Sequence, residues 1–492
     1  MLFNSYIFIF AFLPLVLLGY YALNHLDYSR AGKLFLLGGS WLFYGWWNPI
    51  YLPLLLGSIV VNYTIAGKIQ SYGRSREIIP PKKRLMILGV CLNVALLAYY
   101  KYMDFFIFNV NLLPGVEFDY LRLALPLGIS FFTLQQIAFI VDCYRTGLRE
   151  RDPVDYALFV SFFPQLIAGP IVHHREMMPQ FRATDNRRFH TRNFILGTFV
   201  FSVGLFKKVV IADSFEILVN HGFDSAETLN LLEAWLVQYS YTFQLYFDFS
   251  AYSDMAIGLG LMFNIELPVN FRSPYKGTSI INLWQRWHIT LTRFINTYVY
   301  KTILRSFPEL NFKAGMAASF LAMIVSGIWH GSAWTFVVFG MLNGAAIVVN
   351  HLWRKTGIKM SNWLGWLITF HFFSFTLVIF RATDWSDVFK IYKGMLGFTE
   401  NTFSVAAVKL MGSDAPWYFN LASSPVQRDQ WATWVLTLAV LFFIGIVALA
   451  PNSMDLKDRF KPGKSVLLLQ VVIFVISVMM ISKASEFLYF QF

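Results

Sequence analysis

The run KAGMAASFLAMIVSGIWHGSAWTFVVFGMLNGAAIVVNHLWR, residues 313–354, holds no Asp, Glu, Lys or Arg between Lys313 and Arg354. One helical pass through the roughly 30 Å hydrocarbon core of a bilayer takes about 20 apolar residues. This run is long enough for two passes. Basic residues at both ends mark both ends as cytoplasmic. The chain must therefore go in and come back, and the midpoint falls near Trp329-His330-Gly331-Ser332. His330 lies 17 residues beyond Lys313, or about 25 Å of helix at 1.5 Å per residue. It is expected deep, toward the non-cytoplasmic side, among the small residues Gly327, Gly331, Ser332 and Ala333.

The rest of the chain agrees with that reading. Of 492 residues, 57% are hydrophobic and 14% charged, against about 25% charged in soluble domains. Aromatics reach 18%, which suits lipid-facing surfaces and headgroup belts. No stretch has the composition of a separate soluble domain, so one membrane domain is expected, with a catalytic core at about 123–380. The net charge of +12 sits in short loops between apolar runs, and no basic face outside them suggests nucleic acid. Cys91 and Cys143 lie in or beside apolar segments and form neither a disulfide framework nor a zinc spacing. Residues 1–26 lack a basic leader and a small-residue cleavage site, and read as a retained span.

Stretches free of Asp, Glu, Lys and Arg cover 1–26, 34–67, 85–100, 105–116, 123–141, 156–174, 193–206, 234–247, 314–353, 360–380, 430–454 and 465–482. They predict an all-α polytopic protein of about 11 spans plus re-entrant pieces. The 34–67 run turns at Trp47-Asn48-Pro49, since Pro cannot continue a helix. The short 105–116 run reads as interfacial or re-entrant. Basic segments 68–84, 175–192, 272–313, 354–359 and 455–464 are assigned to the cytoplasm. Segments 102–121 and 220–233 lean acidic and are placed outside, as is 381–430, read as an outer cap. No internal repeat or low-complexity tract is visible.

Several side chains could carry chemistry. An imidazole in an uncharged run is costly unless it faces a cavity or a partner, and His titrates near neutral pH. His330 is thus either a general base or a hydrogen-bonded structural residue. His288, in Trp284-Gln-Arg-Trp-His-Ile-Thr-Leu291, reads as part of an amphipathic or re-entrant helix with Trp284 and Trp287 on the same face. It is either an active-site group or an interfacial anchor. Asp248 and Asp254, beside Gln244 at the edge of an apolar run, either orient an imidazole or, as the better reading, cap a broken helix. Pro164-Gln-Leu-Ile-Ala-Gly-Pro170 breaks a spanning run and is either a tunnel wall or a plain kink. His173 and His174 form no metal site without further ligands. The sequence has no P-loop, nucleophile elbow, H-E-x-x-H or dinucleotide fingerprint, so ATP-driven transport and metalloprotease chemistry are unsupported.

Residues 244–260 (QLYFDFSAYSDMAIGLG), 284–291 (WQRWHITL) and 327–340 (GIWHGSAWTFVVFG) together resemble the membrane-bound O-acyltransferase family. The likeness is nearest to its bacterial branch, which O-acetylates alginate-like exopolysaccharides or peptidoglycan. The segments Leu-Ile-Ala-Gly-Pro at 166–170 and Phe-Leu-Tyr-Phe-Gln-Phe at 487–492 fit as well. The chain departs from the alginate-type pattern after Tyr300, where it reads KTILRSFP in place of a Gly-Gly-Asn-Arg block. The resemblance implies that His330 matches the family's catalytic histidine and His288 its second one. Trp329, Trp287, Asp248, Asp254, Gln244, Ser332 and Asn343 would line or support a central tunnel within a ring of helices. Arg286, Arg293 and Lys276 would attract the phosphates of the donor, acetyl-CoA. It further implies the bacterial inner membrane, a periplasmic partner of the SGNH hydrolase-like type, and a polysaccharide acceptor reached through that partner.

Other readings remain open. A proton-coupled transporter or flippase should show inverted repeats, and none is detected. A recruiting scaffold would leave His330 dispensable. A lipid or protein acyltransferase of the same family would differ in tunnel width.

Overall fold

The computed structural model describes residues 1–72, 80–147, 150, 152–399, 425–481 and 486–488. Among these, every regular element is helical. Seven helices are long and apolar enough to cross a membrane: Phe8–His25, Pro49–Ser71, Pro80–Val110, Thr191–Ser225, Phe312–His330, Trp334–Thr356 and Asn362–Arg381. Two shorter apolar helices, Thr433–Leu449 and Lys464–Met479, follow. The protein is a multi-pass membrane protein. Arg74, Arg76 and Glu77 of the 68–84 loop, residues 400–424 of the expected 381–430 cap and the closing residues 489–492 lie outside the described residues.

The chain forms two compact units. The first holds Met1–Leu205, Tyr252–Val269 and Phe460–Phe492. Its predicted turn at Trp47-Asn48-Pro49 is present. Helix Ser29–Gly45 stops there, and the Asn48 side chain accepts from Ile50 N–H before a short turn leads into Leu52–Ser71. The run around Pro164 is broken into Pro153–Ser161 and Phe163–Leu166. The break survives in an apolar interior because side chains take up polar groups it would leave bare. Ser40 Oγ accepts from Phe163 N–H at 3.2 Å, and Gln165 Nε2 donates to the Phe159 carbonyl at 2.7 Å.

Two expectations fail in this unit. Residues 105–110 are not a separate interfacial piece but the end of the continuous helix Pro80–Val110. Lys101 and Asp104 hid this continuity, because a charge interrupts an apolar count without breaking a helix. Asp104 accepts from Leu121 N–H and Arg122 N–H at 2.7 and 2.9 Å. Asp254 caps no broken helix: it is buried within the helix Leu231–Met262.

The second unit holds Phe206–Ala251 and Asn270–Arg459. Its centre is the hairpin of Phe312–His330 and Trp334–Thr356. Asn311 starts the first helix by accepting from Ala314 N–H at 3.0 Å, which satisfies one orphan donor. Extended backbone at Gly331 and Ala333 reverses the chain. The arms pack at backbone distance: a Cβ on Gly340 would stand 2.6 Å from the Met323 carbonyl oxygen. The re-entry read from the sequence is thus built by glycine on the facing surfaces.

Candidate active site

His330 is the last residue of its helix and is buried. Its ring packs edge-on against Phe380 at 5.2 Å and Phe339 at 6.4 Å between centroids. Trp329 stands 5.1 Å from it on a third side. The same indole lies 6.1 Å from the ring of His288. The hairpin end and the 280–294 segment therefore bring both histidine rings to the same indole, in one buried aromatic cluster.

His288 is held differently from the sequence expectation. Trp284, Trp287 and His288 do not share a helix face. Helix Ile280–Trp284 ends, the chain turns, and His288 takes a left-handed conformation (φ 42°) just before Ile289–Phe294. A non-glycine residue in that region is uncommon and costs about 1–2 kcal/mol, so its surroundings must impose it. They do so through Asn270. The Asn270 carbonyl oxygen accepts from Ile289 N–H at 2.9 Å. Its side-chain Oδ1 accepts from Thr290 N–H at 3.3 Å and Thr290 Oγ1 at 2.9 Å, and meets His288 Nδ1 at 3.1 Å. A backbone N–H can only donate, so the Asn270 atom facing it is the oxygen. In the neutral ring, Nδ1 therefore carries the proton and Nε2 is the basic nitrogen. His288 is fully buried, with Phe249 edge-on at 4.7 Å, so it is not an interfacial anchor.

Other expected residues separate into groups. Trp287 is core: it packs on Phe271 at 5.2 Å and Phe373 at 5.3 Å. Asn343 is a buried tie. Its Oδ1 accepts from Trp284 Nε1 at 3.3 Å, and its Nδ2 donates to the Phe339 carbonyl at 3.0 Å and Thr376 Oγ1 at 3.4 Å. It thus joins three helices behind the cluster. Ser332 is half-buried in the link between the hairpin arms. Arg286 and Lys276 are already engaged by the protein. Arg286 donates to Asn282 Oδ1 and the Arg272 carbonyl, and Lys276 to the Leu449 carbonyl. Arg293 is half-buried in Ile289–Phe294.

Asp248 is not a cap. It lies inside Leu231–Met262, one helical turn from buried Gln244. Lys208 Nζ reaches both Asp248 Oδ1 and Asp213 Oδ1 at 2.8 Å. Lys208 sits within the long helical stretch Thr191–Ser225; the charge of its neighbour Lys207 ends the apolar run at residue 206 without ending the helix. Sequence reasoning missed Asn270, Phe249, Phe380 and Lys208. The only signal for Asn270 was a lone amide between Pro268-Val269 and Phe271, 18 positions before His288. Among the described residues no group of three His, Cys, Asp or Glu is placed to hold a metal ion. What the cluster offers is two buried imidazoles beside one indole, groups of the kind that move a proton to and from a reacting oxygen.

Comparison with known proteins supplies the reaction class. The profile of the membrane-bound O-acyltransferase family matches residues 142–382, which include both histidines. A peptidoglycan O-acetyltransferase of Helicobacter pylori is 42% identical, covering 100% of this chain and 98% of its own. A probable alginate O-acetylase AlgI of Pseudomonas syringae pv. tomato is 35% identical over 91% of this chain and 82% of its own. A teichoic acid D-alanyltransferase of Bacillus subtilis is 26% identical over 52% and 68%.

Proposed function

This chain belongs to the membrane-bound O-acyltransferase family and is an acyltransferase, and from that premise we propose that it carries acetyl groups from cytoplasmic acetyl-CoA toward the hydroxyls of peptidoglycan. The observation that carries this reading is the convergence of His288 and His330 on Trp329. The choice of acceptor follows the relative that matches over nearly its full length. It is supported by the departure from the alginate-type pattern at residues 301–308.

In this mechanism the thioester enters from the cytoplasmic mouth of a tunnel within a ring of helices in the inner membrane. His330 takes the proton from the attacking hydroxyl as the oxygen bonds to the acetyl carbon. The carbon–sulfur bond breaks, and the departing thiolate takes that proton to leave as the thiol. Such base catalysis is worth about 10²–10⁴ in rate. His288, oriented by Asn270, positions the reacting groups beside Trp329. The acceptor of this step is a hydroxyl on an extracytoplasmic partner of the SGNH hydrolase-like type, which then acetylates the polymer.

The test is acetyl-ester content of muropeptides by mass spectrometry in cells lacking the protein. Wild type restores the esters. His330→Ala does not, at equal abundance in the membrane. Full acetylation by that variant overturns the mechanism, and unchanged muropeptides with acetylation of another glycan overturn the acceptor.

A further inference from the structure

A large cavity lies within the first unit and takes no part in the proposed chemistry. It is a trough of about 1580 Å³, beyond the roughly 300–1,000 Å³ of a drug-sized site. Three helices form its walls: Phe8–His25, Thr191–Phe206 and Lys464–Met479. Leu13, Leu17, Phe201, Leu467 and Phe474 make the wall apolar. It opens outward, since Leu18 is 69% and Leu467 59% exposed. From Ile9 to Tyr21 the first helix runs about 18 Å at 1.5 Å per residue. That is close to one leaflet of a hydrocarbon core about 30 Å thick.

One end of the trough is polar. Asp27 follows the first helix, and Asp185, Arg187 and Arg188 precede the second, beside His25 and Asn24. This end carries two guanidinium groups and two carboxylates. Arg187 donates through Nη2 to the Arg182 carbonyl at 3.4 Å, but its Nε–H is buried and meets no acceptor among the described residues. A buried N–H without a partner is costly, and a phosphate oxygen would satisfy it through a charge-assisted bond. The carboxylates would repel a purely anionic headgroup and attract an ammonium. The loop 175–192 is basic, which puts this end on the cytoplasmic side.

We propose that the trough binds a glycerophospholipid of the cytoplasmic leaflet whose headgroup joins a phosphate to a primary ammonium. The tails lie between the three helices, the phosphate meets Arg187 and Arg188, and the ammonium meets Asp27 and Asp185. The binding is separate from acyl transfer and would tie the first helix to the late helix Lys464–Met479.

The purified full chain in detergent is titrated with dioleoyl-phosphatidylethanolamine, -phosphatidylcholine, -phosphatidylglycerol and inorganic phosphate, and read by native mass spectrometry. Retention of one ethanolamine lipid is expected, about tenfold above the choline lipid, whose methylated ammonium cannot donate. The same margin is expected over the glycerol lipid, which has no ammonium. Inorganic phosphate should not displace it. Replacing Arg187→Gln with Arg188→Gln should lower retention about tenfold, and Asp27→Asn with Asp185→Asn should invert the ethanolamine-to-glycerol preference. Equal retention of all three lipids, preference for the glycerol lipid in wild type, displacement by phosphate alone, or no response to the arginine pair would each overturn the proposal. The wild-type ranking needs no variant, so it decides the matter even where a substitution fails to fold.

Discussion

Lys208 with Asp213 and Asp248, and His288 with Asn270, are both polar groups sunk among apolar helices of one unit, and they are satisfied in opposite ways. The first is charged: one ammonium sits between two carboxylates at 2.8 Å each. The second is neutral: an imidazole nitrogen faces an amide oxygen at 3.1 Å. A carboxylate beside the imidazole would orient it and also favour its cation. An amide orients the ring without favouring its cation. The comparison teaches that burial and polarity do not by themselves mark a catalytic group. The charged cluster holds its ammonium between two carboxylates. The imidazole is held in place by an uncharged amide.

The comparison predicts that the two sites fail differently. The largest effect is expected at the histidine cluster. His330→Ala should lower acetyl transfer by about 10²–10⁴ with helical content and thermal unfolding in detergent unchanged; a collapse of stability would erase the contrast. Next comes the ion cluster. Asp248→Leu alone leaves Lys208 short of a partner, and breaking a buried pair costs about 3–5 kcal/mol. Denaturation should report this loss, and the Lys208→Met, Asp248→Leu double variant should recover most of it. Equal stability of the single and double variants would show that the cluster is not the tie described here.

A smaller effect is expected at Asn270→Ala. It removes the acceptor shared by His288 and Thr290, at about 1–3 kcal/mol, and frees the His288 ring. Activity should fall more than stability, and Asn270→Asp should restore ring orientation while moving the pH–activity profile. The smallest probe is Gly340→Ala, whose Cβ would press on the Met323 carbonyl. Overpacking of this kind costs about 1–3 kcal/mol, and unfolding should detect it. An unchanged midpoint would mean that the hairpin arms can part without loss.

The hairpin and His330 were legible because lipid is a simple solvent. It demands about 20 apolar residues per pass, so a charge-free run of double that length announces both the hairpin and the residues at its turn. The same bookkeeping by charge misled at Lys101, Asp104, Lys207 and Lys208. Each interrupts an apolar run, yet each lies within a continuous helix. The expected face of Trp284, Trp287 and His288 failed for another reason. Helical spacing assumes a helix, and a single left-handed residue at 288 ends it.

Sequence alone, then, determined the solvent, the helical class, the family resemblance and the place of one imidazole at a hairpin turn, because those follow from local composition and spacing. Tertiary structure alone decided which polar groups meet. Asn270 reaches His288 across 18 positions, and Lys208 reaches Asp248 across 40. No period in the chain encodes such distances. They arise because each buried polar atom must find a partner wherever packing brings one within about 3 Å.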